Sequence, residues 1–242
     1  TYEEADFKCV DPLTFTLYHP SQFDNPRFPF VPFEHDTLTR WSCGKNLVTG
    51  EPTHLPAARV WVPYVYDPQT AEAPTAQPIS TGLALHCSYE EAVISGLCEV
   101  IERDTFMITW LANLAPPQIR HASLPPYLAE IVEQFTKTGA ELTLFDISLD
   151  HGVPSVLSAY RHADSSNPAF AVAASCAPTA FEALLKSLEE LDHTRHWAST
   201  LKKSMSPLPE GDPEDIIHGQ STHLRYWCEQ SNLSNADFLF RS

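Results

Sequence analysis

The sequence is short of basic residues: 15 Lys and Arg stand against 31 Asp and Glu, which gives a formal net charge of −16. Such an excess of negative charge argues against nucleic acid or an anionic membrane surface as the main partner. It does not exclude a small anionic ligand, because a divalent metal ion can bridge carboxylates to phosphate. Apolar runs are also short, and since none reaches the roughly 18 residues of a membrane-spanning helix, no membrane span is predicted.

Closely spaced cysteines and glycines are missing as well. The six cysteines are scattered, with no C-x-x-C pair and no Cys/His spacing typical of zinc sites. We therefore expect reduced thiols and a cytoplasmic location, since a chain of 242 residues with a full core does not need disulfides. Neither G-x-x-x-x-G-K-[ST] nor G-x-G-x-x-G occurs, so a phosphate site here has to be built without a glycine-rich loop.

Composition divides the chain near residue 55. Residues 1–55 are rich in proline and aromatics, as in HPSQFDNPRFPFVPFEH, and are predicted to be an irregular segment. Residues 56–242 are predicted to form one α/β or α+β domain, a layered sheet with helices packed on it. Predicted strands cover 58–67, 79–85, 141–149, 154–162 and 169–176; predicted helices begin at 88 and cover 126–139 and about 179–199.

The stretch SYEEAVISGLCEVIERD, residues 88–104, gathers carboxylates on one face of a helix. At about 100° per residue, that face carries Glu91, Ser95, Glu99 and Glu102, followed by Phe106 and Trp110. Apolar side chains lie opposite. One interpretation is an ordinary solvated face, on which Glu91 caps the helix with Ser88 and Glu99 pairs with Arg103. The two large aromatics indicate instead that the face is at least partly covered.

The helix predicted over 179–199 repeats this plan. Thr179 and Glu182 again match a capping box. One face carries Glu182, Lys186, Glu190, His193 and Trp197. If both helices pack on one sheet, their polar faces oppose each other across a cleft, where carboxylates repel unless a proton or a cation intervenes. Such oxygen ligands suit Mg²⁺, which binds through few carboxylates plus substrate phosphates, and Arg103 is then placed to meet a phosphate oxygen.

Two blocks of the chain resemble the signatures of the YcaO family. STGLALHCSYEEAVISGLCEVIERD is similar to the first signature, which ends in E-x-x-E-R-D, and AFAVAASCAPTAFEALLKSLEE is similar to the second. The segment WSCGKNLVTGEPTHLPAARVWVPY looks like the lead-in of members that modify ribosomal peptides. The resemblance covers about residues 41–242. It implies a YcaO-like ATP-binding domain over 56–242 that lacks its C-terminal part.

The resemblance implies that ATP and Mg²⁺ bind between the two helices. In peptide-modifying members, a Cys, Ser or Thr side chain of the substrate adds to its preceding carbonyl, the oxygen takes the γ-phosphate of ATP, and loss of phosphate leaves a thiazoline or oxazoline. The implied partners are a ribosomal precursor peptide, a leader-binding protein and a second copy of the chain. The candidate metal ligands are Glu91, Glu99, Glu102 and Glu190, and the candidate nucleotide-binding residues are Arg103, Ser175, Glu182 and His193.

Some positions depart from the family pattern. His86 stands where many members have glycine, and His193 replaces the more usual Gln or Glu. These departures motivate a second hypothesis, a non-catalytic scaffold that keeps the fold and binds a peptide or a partner subunit. Magnesium-dependent binding of ATP distinguishes the two, because only the enzyme requires it.

Other chemistries are disfavoured by spacing. His193 and His196 form H-x-x-H, which differs from the i,i+4 pair of a zinc protease. No serine lies in a recognisable nucleophile elbow. Cys87 and Cys98 are expected to be core thiols and not nucleophiles.

Overall fold

An antiparallel hairpin supplies the regular strands of the first compact unit, residues 1–83, in the computed structural model of this protein, which describes residues 1–67 and 69–241. Strands β1 (Trp41–Lys45) and β2 (Pro52–Pro56) pair with Cys43 opposite His54. The Asn46 side chain accepts hydrogen bonds from two backbone N–H groups of the turn, at 2.9 Å each. Because this Asx-type turn closes the hairpin, residues 1–55 are not wholly irregular, and that part of the prediction is wrong.

The strand predicted over 58–67 is also wrong. A short 3₁₀ helix, Ala57–Arg59, is followed by irregular backbone. Pro63 has no N–H to donate to a ladder, and side chains hold this segment instead. The Tyr64 hydroxyl donates to Glu72 Oε1 at 2.6 Å, and the Tyr66 hydroxyl donates to the Ala76 carbonyl at 2.8 Å. Residues 79–85 form no strand either.

The second compact unit, residues 84–242, is built on a three-stranded antiparallel sheet of order β3-β4-β5. The middle strand is buried at almost every residue, because both faces of the sheet are covered. The strands are β3 (Ala140–Asp146), β4 (Ser155–His162) and β5 (Phe170–Cys176), which confirms the strands predicted over 141–149, 154–162 and 169–176. The units divide after residue 83; the domain boundary drawn at residue 55 from the sequence stays a prediction.

Helices pack on both faces of this sheet, which confirms the layered α/β fold. The helices are α1 (Tyr89–Leu111), α2 (Pro126–Lys137), α3 (Ala180–Ser204), α4 (Pro213–Ile216) and α5 (Gln220–Tyr226), followed by a 3₁₀ helix, Gln230–Phe240. One core cluster joins α2 and α3 to β3 and β4 through Leu128, Leu144, Tyr160, Leu188 and Leu191. The other joins the end of α1 and the C-terminal segment to the opposite face through Phe106, Trp110, Phe145, Leu157 and Phe238.

The helix ends follow from local chemistry. The Ser88 and Thr179 hydroxyls accept the backbone N–H groups of Glu91 and Glu182, at 3.2 and 3.3 Å, so both predicted caps are confirmed. The turn after α2 reaches Gly139, whose φ of 87° only glycine adopts without strain. Among the described residues, no helix has the length and apolar character needed to cross a membrane.

Candidate functional site

A cavity of about 910 Å³ lies in the second unit, between α1 and α3 and beside β5. Small-molecule sites in proteins commonly enclose about 300–1,000 Å³, so this cavity is large enough for a ligand of nucleotide size. Its walls carry carboxylates from both helices. The charged residues that line it are Glu99, Glu102, Arg103, Lys186, Glu189 and Glu190. The two helices therefore do face each other, as the sequence predicted.

The rotation of α1 turns its acidic face toward the cavity. The Glu99 and Glu102 side chains are only 24% and 19% exposed, whereas Leu97 and Val100 on the opposite face are 49% and 48% exposed. Phe106 lies on the acidic face one turn further on and packs into the core below the sheet. Burying a large aromatic side chain stabilises one rotation of α1 about its axis, and that rotation also turns Glu99 and Glu102 toward the cavity. The interpretation of a solvated face is wrong for Glu99 and Glu102.

Glu102 occupies the most enclosed position of the acidic face. Its Oε2 accepts a hydrogen bond from the Cys176 backbone N–H at 3.3 Å, which joins α1 to the end of β5. Burial raises the pKa of Glu102, and the carboxylates of Glu99 and Glu190 raise it further, against the opposing effect of Arg103. Glu190 belongs to α3, so carboxylates from the two helices are close enough across the cavity to repel each other.

Arg103 lies beside both carboxylates of α1. Its Nε is 3.5 Å from Glu102 Oε1, and its Nη2 is 3.8 Å from Glu99 Oε1. Both distances exceed that of a direct charged hydrogen bond, and 57% of the side chain is exposed. The guanidinium therefore partly neutralises the carboxylates while keeping donors available to a ligand.

Comparison with known proteins identifies the family of this chain. The whole chain, residues 1–242, matches the family described as YcaO cyclodehydratase, ATP- and Mg²⁺-binding. This protein belongs to the YcaO family. Two curated relatives, both described as uncharacterized, come from Rhizobium leguminosarum bv. trifolii, in the tfuA 3′ region, and from Methanothermobacter thermautotrophicus.

The YcaO chain covers only part of these relatives. The Rhizobium protein is 27% identical over 124 residues, which is 49% of this chain and 28% of that protein. The Methanothermobacter protein is 30% identical over 148 residues, which is 59% of this chain and 38% of that protein. The chain therefore spans about a third of the length of these relatives.

Solved structures show the same fold. A heterocyclase in complex with substrate and cofactor superposes with a TM-score of 0.73 at 19% identity, over 95% of this chain and 32% of that one. The Escherichia coli microcin synthetase McbBCD complex gives 0.66 at 19% identity, over 83% and 50%. YcaO from Methanopyrus kandleri, bound with AMPPCP and Mg²⁺, gives 0.64 at 19% identity, over 98% and 52%.

The remaining candidates of this YcaO chain divide into two groups. Ser175, Glu190 and His193 line the cavity, and Ser175 is buried. His193 also lines a second cavity of about 360 Å³ between α2 and α3. Glu91 and Glu182 lie outside the main cavity, at the starts of α1 and α3.

Glu91 and Glu182 complete the capping boxes. Glu91 accepts the Ser88 hydroxyl at 2.8 Å, and its pKa is lowered first by that hydrogen bond and then by the charge of His86. The His86 Nδ1 is 2.8 Å from Glu91 Oε2, so this departure from the family pattern contacts the carboxylate at the helix start. Glu182 accepts the Thr179 hydroxyl at 2.8 Å. Metal and nucleotide roles for Glu91 and Glu182 stay predictions.

The cysteines beside the cavity are poor nucleophiles. Burial raises the pKa of Cys98 to about 11, and the neighbouring Cys176 contributes to the rise, so Cys98 stays a neutral thiol near pH 7. Both residues line the cavity. Cys87 is exposed, so the expectation that it is a core thiol is wrong.

The donor set of the cavity fits magnesium better than a softer metal. Within residues 1–67 and 69–241, no three His, Cys, Asp or Glu side chains already converge on a metal position. Zinc in proteins usually has three or four such ligands, whereas Mg²⁺ keeps waters and takes phosphate oxygens beside one or two carboxylates. Glu99, Glu102 and Glu190 line the cavity and supply carboxylates of that kind.

The sequence did not identify every residue of the site. Helical spacing placed Lys186 on the polar face of α3, and the structure shows that it lines the cavity, but it was not among the candidate ligands. The Cys176 backbone N–H and Gln220 also belong to the site. No sequence signal marks these two, because they come from a strand end and from a later helix that only folding brings to α1.

Proposed function

We propose that this YcaO protein binds ATP and Mg²⁺ between α1 and α3 and uses them to form thiazoline or oxazoline rings in a ribosomal precursor peptide. The observation that carries the proposal is the cavity itself, which is lined by Glu99 and Glu102 of α1 and by Glu190 of α3. Like charges held together in a partly buried cleft favour a divalent cation. The fold shared with a YcaO protein bound with AMPPCP and Mg²⁺ supports the choice of ligand.

Each wall of the cavity has its own part in binding. Glu99 and Glu102 on α1 and Glu190 on α3 would hold Mg²⁺ through carboxylate oxygens. Arg103 would exchange its long contacts with these carboxylates for a phosphate oxygen, since arginine binds phosphate with two parallel donors. The Ser175 hydroxyl, which lines the cavity at the end of β5, would donate to the nucleotide.

The reaction needs activation of a peptide bond, and the bound nucleotide supplies the phosphoryl group that turns an amide oxygen into a leaving group. The nucleophile would be a Cys, Ser or Thr side chain of the peptide, which adds to the preceding carbonyl first, so that the resulting oxygen takes the phosphoryl group and leaves as phosphate. A nucleophile from the peptide is consistent with the chemistry of the cavity, because the raised pKa of the Cys98 thiol keeps that side chain neutral. The chain's residues therefore bind, neutralise and orient, which is how most phosphoryl-transfer sites lower their barrier.

The peptide substrate is part of the proposal. The solved neighbours include a heterocyclase with substrate and cofactor and the McbBCD complex with pro-MccB17 bound. By analogy, we propose that this protein acts on a precursor peptide presented by a leader-binding partner, in the cytoplasm, where ATP and reduced peptide cysteines coexist.

Calorimetry with ATP, in the presence and absence of Mg²⁺, tests the binding step. We expect binding only with Mg²⁺, and Glu99→Gln should weaken it about tenfold or more, equivalent to roughly 1.4 kcal/mol. Glu90→Gln is the matched control, because Glu90 is exposed on the same helix and does not line the cavity. Magnesium-independent binding, or equal effects of the two variants, would refute the proposed site.

Mass spectrometry of a Cys/Ser/Thr-rich precursor peptide tests the chemistry. Azoline formation removes one water per ring and consumes one ATP, and both should cease in Glu99→Gln. If the wild-type protein binds no Mg-ATP and modifies no peptide, the scaffold hypothesis replaces the enzyme.

A further inference from the structure

Lys186 is a cation on a wall that is otherwise acidic. It lies on α3, one turn before Glu190, and lines the cavity together with Glu99 and Glu102 of α1. Its side chain extends from an exposed position, so the ammonium is accessible from the cavity. Lys186 is not among the residues that hold Mg²⁺ or the nucleotide in the proposed site.

The ammonium of Lys186 has no direct partner among the described residues. Among the described residues, the ammonium makes no hydrogen bond and no ion pair within 4.0 Å, whereas Arg103 lies beside two carboxylates. Lys186 does act on the other wall: its charge opposes the rise in the pKa of Cys98, which places the ammonium toward α1. The groups that act on Glu102 are Arg103, Cys176, Glu99 and Glu190, and Lys186 is not one of them.

We propose that Lys186 binds a phosphate oxygen of the Mg²⁺-polyphosphate in this cavity and is its second protein cation beside Arg103. The inference rests on the proposed function for the identity of the ligand. An internal counter-ion for the carboxylates would lie within contact of them, as Arg103 does, and Lys186 makes no such contact in the part of the chain that the structure describes. A cation left unpaired in an acidic cavity is instead available to a ligand that brings negative charge of its own.

The charge balance explains why a second cation is useful. A single Mg²⁺ does not neutralise both its carboxylate ligands and a triphosphate. Net negative charge therefore remains on the triphosphate close to those carboxylates. Arg103 compensates part of it from α1. A lysine on α3 adds a compact charge from the opposite wall, and its flexible stem lets the ammonium follow the phosphate.

Isothermal calorimetry on three variants tests the proposal. Lys186→Ala should weaken Mg-ATP binding about 10- to 100-fold, the range for one charge-assisted hydrogen bond. Lys186→Arg should stay within about threefold of wild type, because the positive charge is kept. Lys203→Ala is the matched control, since Lys203 is an exposed lysine at the end of the same helix, outside the cavity.

Inorganic tripolyphosphate with Mg²⁺ separates this inference from the proposed function. Thermal melts first establish that all variants are folded. If wild type binds Mg-ATP and Lys186→Ala binds it equally well, the role of Lys186 is refuted and the proposed function stands. If wild type binds Mg-tripolyphosphate but not Mg-ATP, and Lys186→Ala loses that binding, the role of Lys186 stands and the nucleotide function falls. If wild type binds neither, both are refuted.

Discussion

The Glu102 carboxylate accepts a hydrogen bond from the Cys176 backbone N–H, with 3.3 Å between Oε2 and N. This single contact ties the acidic face of α1 to the end of β5 and holds a carboxylate where its pKa is raised. The fold thus keeps an ionisable carboxyl at a position where burial disfavours its charged form. Side chains with such shifted pKa values are concentrated at functional sites.

Removing the charge of Glu102 while keeping its acceptor should stabilise the metal-free protein. The raised pKa means that the folded state holds the Glu102 proton more tightly than the unfolded state, so stability falls as pH rises from about 4.5 through the folded-state pKa. Glu102→Gln should abolish this decrease and raise the free energy of unfolding at pH 7, measured by urea denaturation between pH 4 and 8.

Glu102→Ala is the control for that prediction. It removes the charge and also leaves the Cys176 N–H without its acceptor, which costs about 1–3 kcal/mol when the donor is buried. Equal stability of the Gln and Ala variants would show that the contact between α1 and β5 contributes nothing.

Glu190→Gln should lower the pKa of Glu102, because it removes a like charge from the opposite wall. The shift is measurable by NMR titration of the glutamate carboxyl carbons without metal. Glu130→Gln, at an exposed position of α2, should leave that pKa unchanged. If both variants give the same value for Glu102, the two acidic faces do not interact.

Variants at the N-terminal cap of α3 distinguish an effect on stability from an effect on nucleotide binding. Thr179→Ala removes the hydroxyl that accepts the Glu182 N–H, and it should cost about 1 kcal/mol of folding free energy. Glu182→Gln keeps a side chain that can accept the Thr179 hydroxyl, so its stability should be close to wild type. A large loss of Mg-ATP affinity in Glu182→Gln with unchanged stability would support the nucleotide role that the resemblance implies.

A buried hydroxyl pair joins β4 to α3. Ser158 Oγ and Ser187 Oγ are 2.8 Å apart with no exposure, and Ser187 also donates to the Leu184 carbonyl. Ser158 is therefore the donor of the pair. Ser187→Ala leaves the Ser158 hydroxyl buried without an acceptor and should cost about 1–3 kcal/mol, whereas Ser158→Ala loses one satisfied bond and should cost about 1 kcal/mol.

Chemical denaturation of both serine variants measures this difference. The double variant should be closer to wild type than the sum of the single ones, since it leaves no unpaired hydroxyl. Equal costs for the two single variants would contradict the assigned direction of the hydrogen bond.

In the second unit, the elements could be predicted because their signals are local. The composition of β4 and the caps at Ser88 and Thr179 each depend on a few neighbouring residues. In the first unit, the same reasoning failed over 58–67. A β-rich composition there competes with Pro63 and with side-chain hydrogen bonds to residues further along the chain.

The residues of the site likewise divide into those that local sequence signals predict and those that only the tertiary structure brings together. Helical periodicity by itself determined that Glu99, Glu102 and Arg103 share one region of α1, because 3.6 residues per turn is a property of the backbone. Only the tertiary structure decided that this face turns inward, since that depends on where Phe106 is buried. It also decided that Glu190 comes near enough to shift the pKa of Glu102 and that Cys176 supplies the tether, because interactions across long sequence separations arise from packing.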